Sequence, residues 1–294
     1  MSNEIELVID AKMQLGEGPC WDWRNNMLYY VDIEGKKIHM YNPSIDKERV
    51  LQLKHQVSAI VPSIKQDTRF VITLENGFHT INIEKNELRY IADPEQGIED
   101  NRFNDGKCDA FGRFWCGTMN RKNKSKHAAL YCLDKEGNLT KKVEDLTISN
   151  GLTWSCKNDY LFLIDTPSQK VTRYEFDLET AKLGKAKDVI DFSKELGSPD
   201  GMTIDKEGML WIAHFGGGRV SRWNPNNGEK LSEIVVPAPN VTSCTFGGKL
   251  LDELYITTAR NGLDEKQLEK YPLSGGLFKV KLDVQGLKAH LYHL

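Results

Sequence analysis

The sequence predicts an all-β chain, a six-bladed β-propeller with four-stranded blades, on three observations. A short aromatic or aliphatic run recurs about every 45 residues, as LYYVD at 28–32, FVITL at 70–74, FWCGT at 114–118, LFLID at 161–165, LWIAH at 210–214 and LYITT at 254–258. Roughly ten residues before each run a second position recurs, occupied by Glu17, Ser58, Asp105, Asn150, Asp200 and Ser243. Each period also divides into up to four strand-like segments separated by turn residues, which is the pattern of a propeller blade.

The elements follow in chain order. Ile5–Ile9 (IELVI) precedes the first repeat position and belongs to no complete blade. It is expected to pair into the blade built by residues 243–294, joining the N- and C-terminal segments, because an unpaired edge strand invites aggregation. The repeat that opens at Asn150 shows the pattern best, with an inner strand at 151–155, a second at 161–165, a third at 171–176 and an outer one at 186–190. The next repeat places strands at 201–205, 210–214, 219–223 and 231–235, with Gly216, Gly217 and Gly218 as a hairpin turn. The second strands are nearly unbroken runs of β-branched and aromatic residues, as suits strands covered on both faces. One stretch, 264–271 (DEKQLEKY), has helical composition, and Pro272 ends it. One closed ring uses the whole chain, 1–294, as a single domain.

Composition excludes several classes. Of 294 residues, 39% are hydrophobic and 28% charged, so a core of ordinary size forms without disulfide or metal staples. A net charge of −3 with interspersed signs argues against nucleic acid as a partner. The first ten residues, MSNEIELVID, lack a basic segment followed by an apolar one, and no apolar run approaches the roughly 18 residues of a membrane span. The expected location is cytoplasmic, and the six cysteines, which show no C-x-x-C spacing, are expected to be buried free thiols. The seven histidines share neither repeat phase nor H-x-x-x-H spacing, and His214 reads as a structural residue. Ser58 and Ser243 have no histidine at their own phase, and G-x-S-x-G is absent, so serine nucleophilic catalysis is not indicated.

Residues at equal phase in a ring of blades face one point. Glu17, Asp105, Asn150 and Asp200, each followed by Gly, form such a set. Like charges so placed repel unless a cation lies among them, and carboxylate and amide oxygens suit a hard cation. The alternative is a solvated acidic rim in which the same residues merely start strands. In the segment NRFNDGK at 101–107, Arg102 and Asn104 are expected in a loop above the same mouth, with Phe103 packed on the neighbouring blade. A forked guanidinium beside an amide suits a polyhydroxylated or anionic small molecule; otherwise Arg102 would pair with Glu99 or Asp100 at the surface.

The ordered blocks LGEGPCWD, DNRFNDGK, FWCGTM, ISNGLTWS, SPDGMTID, GMLWIAHFGGGRV and VTSCTFGG resemble those of the regucalcin and gluconolactonase family, the senescence-marker family that includes insect luciferin-regenerating proteins. The resemblance runs from about residue 4 to the C-terminus. It implies a six-bladed propeller with one divalent cation at the channel mouth (Ca2+, Zn2+, Mn2+, Mg2+ or Fe2+) held by Glu17, Asn150 and Asp200. It further implies that Asp200 is the acid/base residue and that Arg102 and Asn104 bind substrate, with Asp105 beyond the metal ligands or as an alternate base. One departure concerns substrate: where relatives carry an acidic contact a few residues after G-T-M, this chain reads NRKNKSK at 120–126, with Lys122 at that place. The expectation is a metal-dependent sugar lactonase that opens an aldonolactone to the aldonic acid, acting as a monomer or weak homodimer. The alternatives are a phosphotriesterase-like hydrolase with Asp200 as nucleophile, or a non-enzymatic calcium-binding protein.

Overall fold

The computed structural model describes residues 4–65 and 68–293. Strand β1 is Ile5–Ile9. Four antiparallel four-stranded sheets follow: Gly16–Asp22, Met27–Asp32, Lys37–Asn42 and Lys47–Gln52 (β2 to β5); Val57–Pro62, Arg69–Leu74, Gly77–Asn82 and Glu87–Ala92 (β6 to β9); Asn101–Cys108, Phe114–Asn120, Ala128–Leu133 and Leu139–Leu146 (β10 to β13); Ser149–Trp154, Tyr160–Asp165, Lys170–Asp177 and Lys182–Asp191 (β14 to β17). The rest of the chain makes Ser198–Ile204, Leu210–Phe215, Arg219–Asn224 and Glu229–Val235 (β18 to β21), then Asn240–Gly247, Glu253–Ala259 and Leu277–Lys281 (β22 to β24). These two groups are linked into one eight-stranded sheet through the pair Phe215 and Asn240.

The leftover N-terminal strand lands where expected: β1 pairs antiparallel with β24, Ile5 opposite Val280 and Leu7 opposite Phe278. It supplies the outer strand that β22 to β24 lack. The fold is therefore all-β, in small four-stranded sheets consistent with a propeller. The first strands contact one another in the order β2, β6, β10, β14, β18, β22 and again β2. The segment of helical composition forms α1, Glu265–Lys270, which Asp264 and Gln267 cap reciprocally at its N-terminus. Among the described residues no helix is long and apolar enough to cross a membrane.

Burial follows strand order within each sheet. Strands β2, β6, β14 and β22 are buried at every position, whereas β5 and β9 are largely exposed. The core lies between sheets: Tyr29 and Ile38 pack with Ile60, Phe70 and Ile72, and Trp115 meets Trp154 and Phe176 edge-on or tilted. Each such side chain contributes about 1.5–3 kcal/mol when fully buried. His214 is buried between the carbonyl of Leu196 and the hydroxyl of Ser221, in keeping with a structural role. The cysteines are free, but the expectation of burial fails for Cys156, which lies exposed in the turn after β14 because that turn projects from the sheet end.

Every first strand breaks register once against its neighbour, and always at the same phase. The breaks fall between Glu17 and Cys20, Val57 and Ala59, Phe103 and Gly106, Ser149 and Leu152, Pro199 and Met202, and Val241 and Ser243. A bulge of this kind kinks the strand and re-aims the residues it displaces. Asn104, Asp105, Asn150 and Asp200 are among those displaced, and Glu17 borders its own break. Glycine follows because the strands then approach closely: a Cβ on Gly151 would stand 2.6 Å from the Asp200 carbonyl oxygen and 2.8 Å from the Met202 amide nitrogen.

Candidate functional site

Six acids are buried in or just after the first strands, and their hydrogen bonding divides them into two groups. Asp22 accepts from Arg24 Nε at 2.9 Å and Asn25 Nδ2 at 3.0 Å. Asp109 accepts from Trp115 Nε1 at 2.8 Å and Arg113 Nε at 2.7 Å, and Asp205 accepts from Trp211 Nε1 at 2.9 Å and Arg222 Nε at 2.8 Å. These three are structural anchors with their lone pairs occupied.

The acids at the register breaks are different. Asp105 Oδ1 accepts from the Gly106 amide at 2.8 Å, but its Oδ2 has no donor, and neither does Oδ1 of Asp200. Asn150 completes the pattern: its Nδ2 donates to Thr166 Oγ1 at 3.0 Å, that hydroxyl donates to the Pro199 carbonyl at 2.9 Å, and Asn150 Oδ1 is left without a partner. An unpaired buried acceptor costs about 1–3 kcal/mol, so three of them gathered at one phase call for a function. Glu17 is buried beside them and accepts from the Gly18 amide at 3.1 Å.

The charges act on one another. Burial, reinforced by Asp105, pushes the Glu17 carboxyl up to about 8, with the Gly18 amide, Arg102 and Lys107 opposing. Burial, then Glu17 and Asp105, raises Asp200 well above the carboxylate range against Asn150 and Arg102. Burial likewise raises Asp105, with Lys107 and the Gly106 amide opposing. Burial lowers Arg102 to about 10, with Glu34 and Arg121 the nearest charges acting on it. Carboxylates so perturbed in one buried group mark a functional site.

Arg102 and Asn104 lie in strand β10, not in a loop as expected, because Asn101, Arg102 and Phe103 still pair with Asn120, Met119 and Thr118 on the far side of the register break. Arg102 Nη1 donates to the Phe103 carbonyl and to Asn104 Oδ1, both at 2.8 Å, and Asn104 Nδ2 donates to the Ser149 carbonyl at 2.9 Å. Phe103 packs edge-on against Phe78 of the preceding sheet, ring centroids 4.9 Å apart. The surface pairing of Arg102 with Asp100 does not form, since Asp100 instead meets Lys122 at 2.7 Å and Lys124 at 3.2 Å. Lys122 is thereby held at an exposed ion pair, with 64% of its side chain accessible. Its neighbour Arg121 is the residue that turns toward Arg102: Nη2 donates to Gln56 Oε1 at 2.7 Å, and Gln56 Nε2 donates to Glu34 Oε2 at 2.7 Å. Arg121, Gln56 and Glu34 escaped sequence reasoning, and only the position of Arg121 in the basic loop hinted at them.

Among the described residues no three His, Cys, Asp or Glu side chains stand together in metal-ligating geometry. The candidate set is of another composition, two carboxylates and an amide. Its chemistry nonetheless fits a hard divalent cation, for Asp200 and Asn150 each present a buried oxygen that lacks a donor.

Residues 15–260 match the family model described as the SMP-30/Gluconolactonase/LRE-like region. The chain belongs to this family. A Bacillus subtilis (strain 168) member is 39% identical over 280 residues, 95% of each chain, and bears the name, provisional in its own wording, of sugar lactone lactonase YvrE. The solved structure of a luciferin-regenerating enzyme superposes with a TM-score of 0.94 at 32% identity over 100% of both chains. A calcium-binding protein, regucalcin, from Agrobacterium tumefaciens also gives 0.94, at 28% identity over 99% of this chain and 98% of that one. The SMP-30/gluconolactonase match begins two residues before Glu17 and spans every residue of the site above.

Proposed function

We propose that this chain is a metal-dependent sugar lactonase and that its four-stranded units are the six blades of a propeller closed by β1. The pairing of β1 with β24 and the contact order of the first strands support the closed ring. The observation that carries the function is the set of donor-less buried oxygens on Asp105, Asn150 and Asp200. Glu17, Asn150 and Asp200 would hold the cation, and the lactonase name of the Bacillus relative supports the reaction class. A divalent cation bound there supplies Lewis-acid polarisation of the lactone carbonyl and stabilises the developing oxyanion, worth several kcal/mol.

The chain's own groups do the rest. Asp200 takes the proton from the water whose oxygen attacks the carbonyl carbon, and returns a proton to the ring oxygen as the carbon–oxygen bond of the ring breaks. Burial, with Glu17 and Asp105 reinforcing it, raises the proton affinity of the Asp200 carboxylate, as a general base requires. Asp105, with its own free oxygen, is the alternate base. Arg102 and Asn104 orient the sugar hydroxyls, and Arg121 in place of Lys122 extends that contact to the rim. The test is a panel of sugar lactones assayed after chelation and refilling with Ca2+, Mg2+, Mn2+, Zn2+ or Fe2+. Hydrolysis that is lost on chelation and restored by one of these ions supports the proposal; lactone hydrolysis indifferent to chelation refutes it.

A further inference from the structure

A chamber of about 460 Å3 lies behind the candidate site. It begins at Gly18, Asp105 and Ser243, runs along the first strands past Thr153, Thr203 and Thr245, and is bounded by residues 287–290. Three lysines line it; Lys206 bonds Gln285 Oε1 and Lys288 lies over the Trp23 ring, which leaves one directed across the first strands. Lys107 stands in it two positions after Asp105, and its Nζ donates to the carbonyl of Met202, on β18 rather than on its own sheet.

That bond spans from β10 to β18, so the Lys107 ammonium lies between first strands that are not neighbours in the contact order. Its charge acts on several of these strands: it opposes the larger effect of burial, which raises the pKa of Glu17 and Cys20 on β2, of Asp105 on β10 and of Cys244 on β22. One positive charge thus acts on the acids from the chamber, while Arg102, which does not line it, acts on Glu17 and Asp200. The acceptor it holds is a hard oxygen, the Met202 carbonyl, and Asp105, whose Oδ2 has no donor, lines the same chamber.

We propose that Lys107 is a built-in counter-cation that occupies the chamber end of the carboxylate group and so limits the protein to one divalent ion. This rests on the cation reading of Glu17, Asn150 and Asp200. Of the three carboxylates only Asp105 lines the chamber, and Arg102 acts on Glu17 and Asp200 but is not among the groups acting on Asp105, so a dication held by Glu17 and Asp200 leaves the Asp105 charge uncompensated, and a charge in a buried space demands compensation. Lys107 provides it without a second metal. If it were removed, the Asp105 Oδ2 and the released Met202 carbonyl would become ligands for another hard cation.

Metal content is the readout, measured by titration calorimetry and by Mn2+ paramagnetic resonance on the full chain. Wild type and Lys107→Arg should each bind one Mn2+ ion. Lys107→Met, which keeps the length and removes the charge, should bind two, and the second should be lost in Lys107→Met/Asp105→Asn. A folded Lys107→Met that binds one ion with wild-type affinity overturns the proposal. If Lys107→Met does not fold in chelator, millimolar Mn2+ should restore its native circular dichroism, since the ion replaces the ammonium, and failure of that rescue also overturns the proposal. A wild type that binds no Mn2+ would refute the cation reading itself, a result visible before any variant is made.

Discussion

Cation binding to this site should expel protons, and the number can be worked from the structure. The perturbation is titration of the metal-free protein with a divalent ion at pH 7. Glu17, held at about 8, carries about nine-tenths of a proton there, and Asp200, raised further by Glu17 and Asp105, can carry at most one more. Both must ionise to serve as ligands, so between about one and two protons should leave per ion bound. Affinity should then rise about ten- to a hundredfold per pH unit between pH 5.5 and 7.5, and the Glu17 share of that rise should level off above about pH 9. Calorimetry in buffers of different ionisation enthalpy measures the release directly, as the slope of apparent binding enthalpy. A release below about 0.3 proton at pH 7 would show that the carboxylates are already ionised without the ion, and the burial argument for the site would fall.

Further outcomes follow from the same geometry. A carboxyl whose folded value lies above its unfolded one stabilises the fold most below about pH 4.5 and loses that contribution as pH rises through about 8, so the melting temperature of chelated protein should fall from pH 5 to 8 and saturating cation should flatten the curve. Asn150→Ala removes an amide oxygen aimed by Thr166 and should weaken cation binding by about tenfold or more in calorimetry, with Thr166→Val producing a smaller loss. Asp200→Asn keeps an oxygen but removes the base, so kcat on a good lactone should drop about a hundredfold or more with the metal site demonstrably filled, whereas Arg102→Ala should chiefly raise KM and leave cation affinity intact. Gly151→Ala drives a methyl into the backbone of β18 and should destabilise by about 1–3 kcal/mol, read as a lower melting temperature.

The repeat, the leftover strand and the phase of the acids were legible in the sequence because each leaves a pattern in residue type. Ile5–Ile9 has the apolar content of a strand and no blade of its own, so its partner could be inferred. The register breaks were not legible, since a bulge depends on how two strands pair and has no fixed residue signature. For the same reason Arg102 and Asn104 were placed in a loop although they extend β10. Nor could composition tell Asp22, Asp109 and Asp205 from Glu17, Asp105 and Asp200: all are acids in or just after first strands, and only donors from the following turns (Arg24, Arg113) and from second and third strands (Trp115, Trp211, Arg222) separate them. In the basic loop, which of Arg121 and Lys122 turns inward was decided by Gln56 and Asp100, residues about 65 and 20 positions away in sequence.

The bond between β1 and β24 sets a timetable for synthesis. Ile5 meets Val280, a partner 275 positions later, so β1 is made long before the strand that covers it and must wait for it. At translation speeds of about 5–20 residues per second, that wait is roughly 15–55 s. Throughout it β24 does not yet exist, and Ile5, Leu7, Val8 and Ile9 remain without the surface that covers them in the finished protein. The sheet that β1 and β24 complete together can therefore assemble only once residues 277–281 have been made.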